Sequence, residues 1–162
     1  MLQRADFRGA RLEGAVFVGV EMEEALLVGA DLTDATIVDS VAPRSDFEGA
    51  ILDGAEIRSS DLAEGNYRGA SLSGTLLYGV RLIRSDVTGV DFSAVRSPIK
   101  ISFYDTDLSG ANFTGVDFGI SDLRRANLET AELLGADLSQ ANVDYTTRWP
   151  LEFEFRGAGF GQ

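Results

Sequence analysis

The side chains in this sequence that could do chemistry are carboxylates and hydroxyls. The chain has 162 residues, with 26 Asp and Glu but no His and no Cys. Histidine is the commonest general base and cysteine is an intrinsically strong nucleophile, so two of the usual catalytic groups are absent. Ser and Thr are frequent, but none has a base in a recognisable arrangement. We therefore predict that the protein is not an enzyme and holds no cofactor and no metal.

The carboxylates instead recur at a fixed spacing, next to large apolar residues. In "ADFRGARLEGAVFVGV", which starts at Ala5, the residues Phe7, Leu12 and Phe17 are five apart, and an Ala lies two residues before each. Asp or Asn often stands directly before the apolar centre, and Gly often stands two residues after it. A period of five matches neither the 3.6 residues of an α-helix nor the 2 of a β-strand.

This five-residue register runs through most of the chain. Steps of five lead from Leu2 to Ser97, and after one extra residue the register resumes at Phe103 and ends at Val143. The break falls near residues 97–101, where the sequence contains a proline that cannot donate a hydrogen bond to a neighbouring strand. A kink that orients a binding surface and a small bulge without a role both fit this break.

Two inward positions in every five residues, one large and one small, predict a chain that turns a corner at each repeat. Glycine relieves steric conflict at tight turns, and Asp or Asn side chains bond nearby turn backbone. Four corners close a coil of about twenty residues, and successive coils stack about 4.8 Å apart through backbone hydrogen bonds. No coil buries its own apolar side, so stability comes from stacked neighbours. The register predicts about seven coils and a rod about 35 Å long.

The segments "ADLTD", "SDLAE", "ANFTG" and "ADLSQ" follow the pattern A(D/N)LXX, and the sequence resembles the pentapeptide-repeat family. The resemblance covers nearly the whole chain. It implies an all-β fold, a right-handed quadrilateral parallel β-helix with a short C-terminal cap. The ending "TRWP" with later Phe and "AG" is similar to that of many cyanobacterial members, which favours such a source.

The register divides the chain into a β-helix over residues 1–145 and a cap or tail over residues 146–162. An open stack needs a cover, and the tail supplies aromatic residues for it. These are Trp149, Phe153, Phe155 and Phe160. At the other end Leu2 already occupies a repeat centre, and an uncovered coil edge is a template for pairing. We expect either a homodimer through one end of the helix or a chain cut from something longer.

The formal net charge is −12, with 14 basic and 26 acidic residues. It argues against direct binding to nucleic acid, which needs Lys and Arg to displace counterions. Solubility alone or a basic partner would suit it. The sequence lacks a run of eighteen apolar residues and a secretory layout at its start, so we expect no membrane contact and predict a cytoplasmic location.

Every fourth repeat should lie on the same side of the coil, with the residues flanking each centre pointing outward. One side is apolar where solvent is expected, and clustered exposed apolar groups favour an interface. We predict a scaffold or regulatory module that binds an unidentified protein through this apolar face, which consists of Val16, Val18, Val38, Leu76 and Tyr78. Scattered surface apolarity, which is normal in soluble proteins, is the alternative.

A second side carries an acidic column, which consists of Asp6, Asp46, Glu48, Asp86 and Asp107. Regular carboxylates on a rigid rod can imitate the phosphates of DNA. Family relatives of the quinolone-resistance type are understood to engage DNA gyrase as acidic duplex mimics. The resemblance therefore implies an alternative function, a modulator or protector of DNA gyrase. The turn chemistry of the repeat also explains these carboxylates, so both interpretations stay open.

Overall fold

The computed structural model describes residues 1–151 and 153, and in them the five-residue repeat forms the sides of a coil. One side consists of regular parallel strands in the order β1-β2-β3-β4-β5. Each strand starts 20 residues after the one before, so four repeats complete one turn, and the fold is the predicted parallel β-helix. The strands are β1 Val16–Val18, β2 Thr36–Val38, β3 Glu56–Arg58, β4 Leu76–Arg81 and β5 Arg96–Ser102.

The regular strands span four turns, fewer than the seven coils expected. On the other sides only one residue of each repeat reaches bridging geometry, so stacking there consists of single parallel bridges rather than strands. One such series runs from Asp6 through Leu26 and Asp46 and ends at Arg148. These bridges extend the stack before β1 and after β5.

The interior follows the predicted division into large and small positions. Phe47, Phe92 and Phe113 are at most 1% exposed, and the small residue two positions before most centres is buried too. The rings of Phe92 and Phe113 stack with centroids 4.7 Å apart, and Phe47 stacks on Tyr67 at 5.1 Å. Stacked aromatic pairs contribute about 0.5–1.5 kcal/mol beyond the area that they bury.

Several of the small inward residues are Ser or Thr, and their hydroxyls join successive coils. Ser45 Oγ donates to the Met22 carbonyl at 2.7 Å, and Thr75 Oγ1 donates to the Leu52 carbonyl at 2.7 Å. In the described residues no buried side-chain nitrogen or oxygen lacks a hydrogen-bond partner. Each bond is worth about 0.5–1.5 kcal/mol net, and an unsatisfied hydroxyl at the same place would destabilise the coil.

The extra residue in the repeat forms a bulge on β5. Spacing alone places Ser97 at an inward centre, but Ile99 is the residue buried there, at 1% exposure. The register between β4 and β5 shifts on both sides of Tyr78, from Leu76 opposite Arg96 to Tyr78 opposite Lys100. Burial of the Ile99 side chain in the core favours this shifted register.

Asp and Asn close the turns between the sides of the coil. Asp31 Oδ1 accepts a hydrogen bond from the backbone N–H of Thr33 at 3.0 Å, and Asn112 Oδ1 does the same for Thr114 at 3.0 Å. The bond from the Thr33 hydroxyl, with the backbone bond, lowers the pKa of Asp31. This geometry accounts for the acidic position of the repeat.

Gly65 and Tyr67 are a compensating pair inside the stack. Gly65 takes the inward position that other repeats give to a slightly larger residue. A Cβ at Gly65 would lie 2.8 Å from Tyr67 Cε2 and 3.0 Å from the Ser45 carbonyl oxygen. The Tyr67 ring is buried, and its hydroxyl donates to the Leu62 carbonyl at 3.2 Å.

We expect Gly65→Ala to lower the free energy of unfolding by about 1–3 kcal/mol, because the new Cβ would overlap the buried Tyr67 ring and crowd the Ser45 carbonyl. In a Tyr67→Leu background, Gly65→Ala should lower the free energy of unfolding by clearly less, since the ring atoms that the new Cβ would meet are absent. Urea unfolding of the four proteins of this cycle measures the coupling. An equal cost of Gly65→Ala in both backgrounds would contradict the pairing.

We also expect acid to destabilise the fold. The pKa of Asp31 is lowered in the folded state, so its stabilising effect is present above its unfolded pKa, near 3.9, and is lost as the pH falls through the folded pKa. Thermal unfolding at pH 7, 5, 4 and 3 should show a falling Tm below about pH 5. Asp31→Asn, which keeps the turn bond as Asn112 does, should reduce this fall.

The opposite outcome has its own physical basis. A net charge of −12 repels itself, and protonation relieves that repulsion. A Tm that rises on acidification would show that self-repulsion outweighs the turn carboxylates.

Candidate binding surfaces

Parallel stacking places all five residues of the apolar face on one sheet. Val18, Val38 and Tyr78 fall in one row across β1 to β4, and Val16 and Leu76 fall in the neighbouring row. Val16 is 69% exposed, Val18 57% and Tyr78 49%, while Val38 and Leu76 are half-buried. These side chains point outward from strands whose central residues are buried, so they carry little of the core.

One ion pair interrupts the apolar face. On β3 the guanidinium of Arg58 contacts the carboxylate of Glu56, which lies two residues before it on the same strand. The pair is internal to the strand, so it neutralises its own charges. The surface therefore has an apolar end at Val16 and Val18 and a second apolar end at Leu76 and Tyr78.

Two cations border the second apolar end. Arg96 pairs in register with Leu76 and Lys100 with Tyr78. Lys100 Nζ lies 5.4 Å from the centroid of the Tyr78 ring, within the range of a cation–π contact. Arg96 Nε donates to the Gly74 carbonyl at 2.8 Å. Sequence reasoning missed this border; the signal was that the single lysine of the chain falls in the irregular repeat.

The residues of the acidic column also lie on one side of the helix, along the series of bridges that starts at Asp6. Each Asp of the column accepts the backbone N–H two residues later, at 3.1 Å for Asp46 and Asp86 and at 3.0 Å for Asp107. Asn66 holds the same position and makes the same bond at 3.1 Å. These carboxylates therefore close turns, whatever else they do.

The charge of the acidic column is partly neutralised. Arg8 Nη2 lies 2.6 Å from Asp6 Oδ2, and Arg68 Nε lies 2.8 Å from Asp86 Oδ2. Hydrogen bonds from the Arg8 side chain and backbone lower the pKa of Asp6 to about 2. Burial raises the pKa of Asp86, but hydrogen bonds from Thr88 and the charge of Arg68 outweigh it, so the net shift is downward.

The rest of the column has uncharged partners. Asn66 Nδ2 donates to Asp46 Oδ1 at 3.0 Å and to Glu48 Oε2 at 3.2 Å. Asn127 Nδ2 donates to Asp107 Oδ1 at 3.0 Å. Among the described residues, no basic side chain lies within ion-pair distance of these three carboxylates, so the column keeps its charge there.

The predicted cap is described in part. The rings of Trp149 and Phe153 stack with centroids 5.3 Å apart, and both are half-buried against the core. Phe155 and Phe160 lie outside the described residues. At the other end the apolar residues Leu2 and Phe7 are half-buried. A homodimer through an end of the helix stays a prediction.

Residues 1–151 and 153 bring together no group of three or more His, Cys, Asp or Glu that could hold a metal ion. They also contain no helix with the length and apolar character needed to cross a membrane.

Solved structures with the same kind of stack include QnrB1, a plasmid-mediated fluoroquinolone resistance protein. A trypsin-treated form matches with a TM-score of 0.61 and 20% identity, covering 86% of this chain and 79% of that chain. The full-length form matches with a TM-score of 0.53 and 22% identity, covering 96% and 76%. At these identities the likeness concerns the fold.

Another match is HetL, a pentapeptide repeat protein involved in heterocyst differentiation regulation from the cyanobacterium Nostoc sp. strain PCC 7120. It has 29% identity and a TM-score of 0.35, covering 86% of this chain and 62% of that chain. No curated protein matches the sequence. The family model for pentapeptide repeats matches in eight copies, over residues 2–34, 30–66, 55–93 and 106–144. Because these matches cover most of a chain whose repeats form the sides of a β-helix, the protein belongs to the pentapeptide-repeat family.

Proposed function

We propose that this protein is a non-catalytic scaffold or regulatory module that binds another protein through the apolar face. The observation that carries the proposal is that three well-exposed apolar side chains, Val16, Val18 and Tyr78, lie on one sheet. Other exposed apolar residues, such as Ile51 and Leu134, belong to a different side of the coil. Clustered apolar exposure is typical of an interface.

The stack beneath the face makes it a rigid platform. The residues between the exposed ones, Phe17, Ile37, Ile57 and Leu77, are at most 7% exposed and pack in the core. A surface that is already ordered loses little conformational entropy when a partner binds. Aromatic residues are also enriched among the residues that dominate binding energy, which makes Tyr78 the expected anchor.

Val38→Asp with Tyr78→Asp should abolish docking and leave the fold intact, because both side chains point away from the core. Photocrosslinking from position 18, in lysate of the source cell, provides the measurement: wild type should give discrete crosslinked partners and the double variant should lose them. Leu134→Asp is the matched control, since Leu134 is 80% exposed on another side. If the crosslinked partners survive the double change, the apolar face is not the docking site.

The second candidate is the DNA mimic that modulates or protects DNA gyrase. Asp46, Glu48 and Asp107 favour it, because they keep their charge on one side of the rod. The wide spacing of the charges in the acidic column argues against DNA mimicry. Duplex DNA carries one negative charge for about every 1.7 Å, whereas this column rises about 4.8 Å for each coil and is interrupted by Arg8 and Arg68. We therefore rank it below protein docking.

A gyrase supercoiling assay with and without a quinolone separates the two candidates. DNA mimicry predicts inhibition, or relief of drug inhibition, that weakens with added salt and fades in Asp46→Asn with Asp107→Asn. Asparagine keeps the turn bond at both positions, as Asn66 shows, so loss of the effect would report charge rather than fold. If a large molar excess of the protein has no effect in this assay, DNA mimicry toward gyrase is wrong.

A further inference from the structure

The basic side chains of the protein divide into two groups by their partners. Among the described residues, eleven Arg side chains each lie within ion-pair distance of a carboxylate. Arg96 and Lys100 are the two described basic residues that have no such partner. In a chain with 26 acidic and 14 basic residues, a cation without a carboxylate is unexpected.

Both of these cations lie on β5, at the edge of the apolar face. Arg96 stands beside Leu76 and Lys100 beside Tyr78, in the next coil of the same sheet. The contacts that they do make fix their positions without neutralising them. Arg96 donates to the carbonyls of Gly74 and Gly54, and Lys100 Nζ stands over the Tyr78 ring.

The β5 bulge lies between the two cations in sequence. A regular repeat would have kept the β4 register, whereas here Lys100 pairs with Tyr78. Bulges redirect side chains and collect near functional sites. Carboxylates on neighbouring coils have other partners. Glu56 contacts Arg58, and Asp117 accepts the backbone N–H of Gly119 at 2.8 Å. Asp122, which lines the same surface hollow as Lys100, pairs with Arg124 at 2.8 Å.

We propose that the partner presents an amphipathic α-helix with carboxylates at one end, whose apolar side packs along the apolar face and whose carboxylates bind Lys100 and Arg96. The inference rests on the proposed function and names the chemistry of its partner. A cationic border beside an apolar surface complements an acidic, apolar segment. Nucleic acid lacks the apolar side chains that the rest of the face would match.

The spacing of the coils favours a helix over an extended peptide. Outward residues on successive strands are about 4.8 Å apart, and a helix advances about 5.4 Å for each turn. The distance from β1 to β5 is about 19 Å, close to the length of four turns of an α-helix. An extended chain repeats its same-side residues every 6.6–6.8 Å or so and would run out of step with the coils.

The helix dipole sets the orientation. A helix has a partial negative charge at its C-terminus, which cations on another molecule stabilise. Lys100 and Arg96 would stabilise both the C-terminal carbonyls and acidic side chains in the last turn. We therefore expect the carboxylates in the C-terminal turn of the bound helix, over β5, and the N-terminal turn over β1.

A library of random 16-residue peptides displayed on phage, selected on the purified protein, tests this chemistry without a known partner. Selected peptides should carry apolar residues at i, i+3 or i+4, and i+7, with Asp or Glu near the C-terminus. Synthetic versions of the selected peptides should bind the Lys100→Glu variant about tenfold more weakly than wild type, or weaker still. Binding to wild type should also weaken as the salt concentration increases. Arg11→Glu makes the same change of charge on another side and should leave binding unchanged.

Two further variants separate failure of this inference from failure of the proposed function. If Tyr78→Asp abolishes peptide binding but Lys100→Glu does not, and the peptides show no acidic preference, the apolar face stands and the acidic helix is wrong. If Tyr78→Asp binds the same peptides, the apolar face itself is wrong. Arg96→Gln should weaken binding less than Lys100→Glu. Circular dichroism and Tm establish that each variant retains the β-helix, because Arg96 also bonds backbone carbonyls.

Discussion

Stacking of coils by backbone hydrogen bonds is the interaction on which the rest of this structure depends. The Phe7 N–H donates to the Leu26 carbonyl at 2.8 Å, and the Leu26 N–H donates back to the Ala5 carbonyl at 2.9 Å. These bonds hold residues that are twenty apart in sequence at equivalent positions on successive coils. Residues that share a position in the repeat therefore line up along the axis of the β-helix. A coil alone would expose its apolar interior, and only its neighbours cover it.

The same constraint governs the corners. Many corner residues have φ in the left-handed region and are Gly, but at one corner the left-handed residues are charged, with Arg4, Glu24, Arg44, Glu64 and Arg84 in successive coils. A side chain there costs about 1–3 kcal/mol. Alternating signs offset part of that cost, as between Arg4 Nε and Glu24 Oε2 at 2.7 Å, although an exposed pair contributes little. A slip of one coil would bring like charges together, so this corner also favours the native register.

The sequence predicts most of the fold because a solenoid converts spacing directly into position. The inward residues, the turn carboxylates and the common face of Val18 and Tyr78 all follow from counting in fives and twenties. The count fails at the bulge, where the buried residue is Ile99, which lies outside the five-residue register. Counting also predicts no side-chain partners, so the pairing of Asp86 with Arg68 appears only in three dimensions.

Function in such a fold has to reside where the repeat is unconstrained. Inward positions are fixed by volume, as Gly65 beside Tyr67 shows, and turn positions by their hydrogen bonds. Outward positions on the sheet meet neither demand, so they can carry the residues of a binding surface. The same holds for the charges of Arg96 and Lys100. Their carbonyl and ring contacts fix them in place but leave their charge available, and a surface that orders a cation without neutralising it is suited to a carboxylate from another molecule.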